Sequence, residues 1–283
     1  MAFRDPDFPD YELVRTEGSF DEGYIGRSRL WIAGILLVAL TGGVAYYVYS
    51  RRAAPAQAPA PAVQGTEVPV RPLAAAEEVA VPPLDESDGV VRDLVQKISS
   101  HPAVAAWLTT TGLIRTFTVA VADVAEGITP AKHLRVLRPT SSFRVLTRNG
   151  RLVIDPKSYD RYNGIAAGVA SIDPAGAARI YATLKPRIQE AYGTLGLPSD
   201  AFDRALERAI VSLLQTPVID DPVRVEPKGL GYRYADPKLE GLTAAQKHLL
   251  RTGARNVRTI QSALRQLAVA LGIPAERLPA ARG

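Results

Sequence analysis

The residues that could carry chemistry are few, and their spacing argues against most reactions they could serve. Imidazole is the most versatile of them, because it can ligate a metal or move a proton near neutral pH. His101, His133 and His248 stand far apart, and none has a second histidine or a carboxylate at ligand spacing. The chain has no cysteine, which excludes disulfides, thiol catalysis and zinc–thiolate sites. Asp155, Asp173 and Asp236 each precede a proline, where capping of a helix start is expected rather than acid–base work. No Walker loop, dinucleotide fingerprint, nucleophile elbow, HExxH or SxxK occurs. No catalytic residue, metal or cofactor is expected, and a binding module is favoured over an enzyme.

Two groups of residues suit binding. Lys247, Arg251, Arg255, Arg258 and Arg265 fall within an arc of about 80° if one continuous helix carries them. Opposite an apolar stripe, such a face first serves to stay solvated. Its functional reading is an anionic partner: a phosphate-bearing envelope polymer, a lipid headgroup or an acidic protein. Nucleic acid is not expected. The stretch LTAAQKHLL starts like a helix-turn-helix, but only twelve residues follow Leu271, too few for a recognition helix. The second group is tyrosine beside arginine: Tyr159 and Tyr162 with Arg161 between, and Tyr232 and Tyr234 around Arg233. That pairing is favoured in interfaces. Tyr159 and Tyr162 also fit a buried helical stripe, and the core role is preferred.

These residues must be positioned by elements that can be read in order. Asp85, Ser87 and Asp88 offer N-caps to a helix carrying Val91, Leu94, Val95 and Ile98. A short helix follows His101-Pro102, and a third runs from Leu113 to Val124 before Gly127, although TFTVAV also alternates like a strand. FRVLT-RNG-RLVID (143–155) predicts a hairpin, since Asn149-Gly150 tolerates the positive φ angles of a tight turn. Asp155-Pro156 opens a helix with Tyr159, Tyr162, Ala166 and Val169 on one face. Asp173-Pro174 opens another, to Gly196 with a kink at Pro186, and Ser199 or Asp200 a further one up to Thr216-Pro217. A second hairpin is predicted to turn at Pro227-Lys228-Gly229. Thr243 and Gln246 form a capping box for the last unit, which Gly253 interrupts. The sum is an α+β domain, predominantly α-helical with short β-hairpins, over residues 84–283.

Four stretches of this domain, LDESD (84–88), DPKSYDRY (155–162), YADPKLEGL (234–242) and QKHLLRTGARN (246–256), resemble a bacterial, membrane-anchored family catalogued only as a domain of unknown function. The resemblance implies an N-terminal anchor and an Ala/Pro-rich spacer before the domain, and no reaction, cofactor or site. Many members carry proline where this chain has Ala254, a departure at the position where proline would enforce a break after Gly253.

An anchor is visible. Residues 30–50, LWIAGILLVALTGGVAYYVYS, are 21 uncharged residues between Arg29 and Arg51, a helix long enough to span a bilayer's hydrocarbon core. Trp31 marks one end and Tyr46, Tyr47 and Tyr49 the other. Ala39 and Gly43 have the spacing that lets two such helices pair as a homodimer. The acidic leader (1–29, a disordered tail) differs from the compact basic start of a cleaved signal peptide. Residues 51–83 contain seven prolines and ten alanines, hence an extended linker rather than a fold.

The expected arrangement is a single-pass protein of the bacterial inner membrane, with its N-terminus cytoplasmic and its C-terminal domain periplasmic. Residues 30–50 would meet the lipid bilayer, and the domain would serve as a non-catalytic binding or scaffold module for an envelope protein or anionic wall component. The alternatives are a hydrolase-like envelope enzyme and a cytoplasm-facing nucleic-acid-binding domain.

Overall fold

Helices made amphipathic by apolar residues three and four apart must bury that stripe, and among the described residues six of them do so around one aromatic centre. The computed structural model describes residues 79–280. The tail 1–29, the span 30–50 and the linker up to residue 78 lie outside the described residues. Among the described residues no helix is long and apolar enough to cross a membrane. The chain is mostly helical with two antiparallel hairpins, an α+β domain.

After a 3-10 turn at Leu84–Glu86 come α1 (Asp88–Gln96), α2 (Pro102–Trp107) and α3 (Leu113–Ala125). The first hairpin is β1 (Val145–Arg148) with β2 (Arg151–Ile154), followed by α4 (Lys157–Asp160), α5 (Asn163–Ala170), α6 (Pro174–Gly193) and α7 (Phe202–Leu214). The second hairpin is β3 (Val225–Lys228) with β4 (Gly231–Tyr234), followed by α8 (Pro237–Glu240), α9 (Ala244–Leu250) and α10 (Ala254–Ala270).

Phe202 is wholly buried at the start of α7. Its ring lies 6.0 Å from Phe117, 6.3 Å from Tyr181 and 5.3 Å from Tyr192, which draws α3, α6 and α7 together. Tyr181 donates to Asp203, and Lys185 Nζ sits 2.6 Å from the other carboxylate oxygen. Burial by itself would raise the Asp203 pKa; the hydrogen bonds from Lys185 and Tyr181 offset that and hold it below the usual carboxylate range. Val79 and Val81 also pack on this core, so the folded region begins before Leu84.

Local competition was settled by tertiary contacts in several places. TFTVAV is helical: Thr118 is fully buried in α3 and returns its hydroxyl to Ile114 O at 2.7 Å. Asp88 does not cap α1. Its two oxygens accept from the amides of Gly112 and Leu113, both at 2.8 Å, and so cap α3 from 24 and 25 residues away. The helix expected after Asp155-Pro156 is divided into α4 and α5, and α6 continues through Pro186 as one element. Gly253, at φ 86°, separates α9 from α10 although Ala254 stands where proline would have enforced the break.

Two glutamines close the C-terminal end of α7, whose last carbonyls have no helical donors. Gln261 Nε2 lies 2.9 Å from Thr216 O and 3.1 Å from Leu213 O, and Gln246 Nε2 is 3.1 Å from Ser212 O. Replacing Gln261 with leucine keeps the volume and leaves the buried Thr216 carbonyl without its donor, while Leu213 O keeps the Thr216 amide at 3.1 Å. The expected loss is about 1–3 kcal/mol in denaturant unfolding. A neutral result would mean that water reaches the end of α7.

The hairpins share one direction. β1 pairs with β2 so that Arg148 faces Arg151 across Asn149 (φ 51°) and Gly150 (φ 70°), a two-residue turn with both φ positive. β3 pairs Lys228 with Gly231, so the second turn is Gly229-Leu230 rather than Pro227-Lys228-Gly229, and Pro227 sits within the strand opposite Tyr232. An antiparallel bridge joins Val153 to Arg224, and the Ile154 amide donates to Val223 O at 3.0 Å. Because β3 therefore runs opposite to β2 and in the same direction as β1, both turns point to the same end.

Candidate functional site

A cleft of about 540 Å³ opens where the first hairpin, the turn after Asp155, residues 219–222 and the start of α10 meet. Its apolar surface comes from Val153, Ile219 and Pro222, with Leu146 at the edge, 44% exposed. Strand alternation explains the hairpin's share: Val145, Leu152 and Ile154 turn to a small second core around Phe143 and Tyr234, while Leu146 and Val153 occupy the opposite face.

Gly253 holds the cleft together. A Cβ there would lie 2.5 Å from Tyr159 Cγ, so the Tyr159 ring packs directly on the Gly253 backbone. Asn256, nearly fully buried, donates through Nδ2 to Tyr159 O at 3.0 Å and to Thr252 O at 2.9 Å. These contacts bind the α4 turn to the α9–α10 corner. Burial pushes the Tyr159 hydroxyl up to about 12, so it stays protonated at neutral pH.

The rim is charged in both signs. Arg258 grips Asp220 with both terminal nitrogens, one bond being 2.9 Å from Nη1 to Oδ1. That hydrogen bonding holds the Asp220 carboxyl below its ordinary range. Asp160 accepts from Asn163 Nδ2 at 3.1 Å, and Asp221 is exposed. Arg148 and Arg255 are exposed and have no carboxylate partner among the described residues. An apolar surface with separated charges can hold a chain segment.

The five cations expected on one helical arc are divided by the break at Gly253. Lys247 Nζ donates to Glu240 O at 3.0 Å and lies 3.5 Å from Glu240 Oε1, tying α9 to α8. Arg251 lies over the Tyr234 ring, 5.7 Å from its centroid. Arg255 and Arg258 line the cleft, and Arg265 lies further along α10. Arg148, Tyr159, Asp160 and Asp220 join them only through the fold. The one signal for this in the sequence was Gly253 inside an otherwise helical pattern.

The remaining candidates have structural duties. Asp173 accepts from the Gly176 amide at 2.7 Å and Asp236 from Lys238 at 2.8 Å, as capping required; Asp155 accepts from the Lys157 amide at 2.9 Å, but Pro156 is the N-cap of α4 and no side chain caps it. His101 Nδ1 accepts from the Ala103 amide at 3.1 Å and caps α2. His133 Nε2 is 3.2 Å from Asp123 Oδ2, a pairing of residues ten apart made by the fold. No group of three metal-ligating side chains occurs among the described residues. Arg161 lies over Phe143 and Tyr162 and donates to Ser141 O at 2.7 Å, so this tyrosine–arginine group braces the fold.

Residues 113–268, more than half of the chain, match one protein family. The chain belongs to that family, described as a protein of unknown function (DUF3014). No curated protein and no solved structure matches it. The DUF3014 match runs from α3 to near the end of α10 and includes both hairpins and every residue of the cleft. Three of the four stretches that carried the resemblance fall inside it; LDESD (84–88) lies before it.

Proposed function

We propose that this DUF3014 protein is a single-pass inner-membrane protein whose domain binds an envelope partner in the periplasm, without catalysing a reaction. The observation that carries the reading is the cleft: an open, largely apolar surface flanked by Arg148 and Arg255, on a junction made rigid by Gly253, Tyr159 and Asn256. Asp220, held ionised by Arg258, is not suited to acid–base work. The 21 uncharged residues at 30–50 support the anchor, and the proline-rich linker lets the domain reach beyond the bilayer surface.

The test places a photo-crosslinking residue at Arg255, a control one at Ser262 on an exposed part of α10, and a tag after Gly283. Protease added to intact spheroplasts should remove the tag, and Arg255 should capture a discrete envelope component that Ser262 does not. A protected tag would put the domain in the cytoplasm and end the periplasmic reading. Identical products from both positions would end the assignment of the cleft.

A further inference from the structure

The end of the molecule to which both hairpin turns point, which shares Arg148 and Thr147 with the cleft rim, has an unusual composition. The first turn is flanked by Arg148 and Arg151, which face one another across the ladder. Like charges directly opposite destabilise a hairpin, and neither arginine has a carboxylate partner among the described residues. The second turn carries Leu230, 88% exposed, next to Lys228, whose side chain is 68% exposed and 3.9 Å from Glu240 Oε1. Counted from the Val153–Arg224 bridge, the second turn projects roughly two residues, about 7 Å, beyond the first. Glu226 is the one carboxylate on the four strands, and Arg233 neutralises it at 2.8 Å.

Leu230, at the tip of the second turn, is the most exposed large apolar side chain among the described residues. Cations placed behind an apolar tip suit an interface with hydrocarbon beneath a layer of phosphates. We propose that this end, Arg148 and Arg151 with Lys228 and Leu230, docks on the surface of an anionic phospholipid bilayer. Leu230 enters the interface first, and the three cations lie at the level of the headgroups. A soluble polyanion would reward the cations and leave Leu230 without a role, so the leucine selects the bilayer. The proposal rests on reading residues 30–50 as the membrane anchor; such a tether keeps the domain at high effective concentration beside that surface.

The absence of cysteine allows a unique label. The full chain carrying Thr147→Cys with an attached fluorophore is placed in nanodiscs of phosphatidylcholine alone or with phosphatidylglycerol, part of the lipid being brominated as a quencher. A Ser262→Cys chain is the control. Quenching is expected at position 147 only, with phosphatidylglycerol only, and should fade at high salt. Leu230→Ser, at an exposed site, should remove it without changing the unfolding midpoint. Each cation reversed among Arg148, Arg151 and Lys228 should lower the ratio of docked to free domain by at least roughly fivefold. Quenching insensitive to Leu230→Ser, or absent in nanodiscs that hold the chain, would overturn the docking surface and leave the anchor standing. Failure of the chain to enter nanodiscs at all would overturn the anchor and the docking together. A response at position 147 to soluble polyphosphate equal to that with lipid would assign the cations to a polyanion and also overturn the proposal.

Discussion

Phe202→Ala should destabilise the domain by about 3–5 kcal/mol, the usual cost of truncating a fully enclosed aromatic ring. Phe202 has no exposed surface and is shared by Phe117, Tyr181 and Tyr192 on two other helices. Removing it takes away transfer free energy and leaves a cavity whose walls belong to different elements, so collapse around it is limited. For a domain of this size the thermal midpoint should fall by about 10 °C. Phe202→Leu fills most of the space and should cost much less. A loss under about 1 kcal/mol for the alanine variant would show that the helices can close over the gap.

Gly253→Ala should be nearly as damaging, by about 2–5 kcal/mol, for two separable reasons. At φ 86° and ψ 158° the backbone occupies a region that residues with a Cβ seldom enter. The new methyl would also press on Tyr159, 2.5 Å from Cγ and 2.8 Å from Cβ and Cδ1. The double variant with Tyr159→Ala removes the contacts to Cγ and Cδ1, and leaves the approach to Cβ and the backbone strain. Its total loss should therefore be smaller than the sum of the two single losses in unfolding titrations. Strict additivity would mean that the ring does not rest on Gly253. Because the same contact shapes the cleft, Gly253→Ala should also weaken capture by a crosslinker at Arg255.

Much of the architecture was legible in the residues. Asn149-Gly150 between β-forming segments specified a turn and a register that neighbouring contacts did not alter. Thr243 and Gln246 specified a helix start by reciprocal bonds, each 3.2 Å. Aspartate before proline specified capping at Asp173 and Asp236. All these rest on contacts within a few residues, so local chemistry suffices.

What local chemistry left open was decided by distance in the fold. TFTVAV could alternate or coil, and burial of Thr118 against the α6–α7 side of the core chose the helix. Asp88 could cap its own helix, but lies beside the start of α3 and caps that instead. The second hairpin had Pro-Lys-Gly as a plausible turn; Gly229 supplies the positive φ, at 57°, and pairing of Val225 with Tyr234 moved the turn to Gly229-Leu230. The basic stripe needed one continuous helix, and the Tyr159 ring on Gly253 holds that helix broken, so its cations serve different neighbours.

By itself the sequence determined the apolar stripe of most helices, the Asn149-Gly150 turn and the caps at Asp173, Asp236 and Thr243. These depend on φ preferences and on spacings of two to four residues. Only the tertiary structure decided which side chains share the cleft and which end both hairpins face. Those facts depend on strand pairing and ring packing between residues as far apart as Tyr159 and Asn256, which no local pattern records.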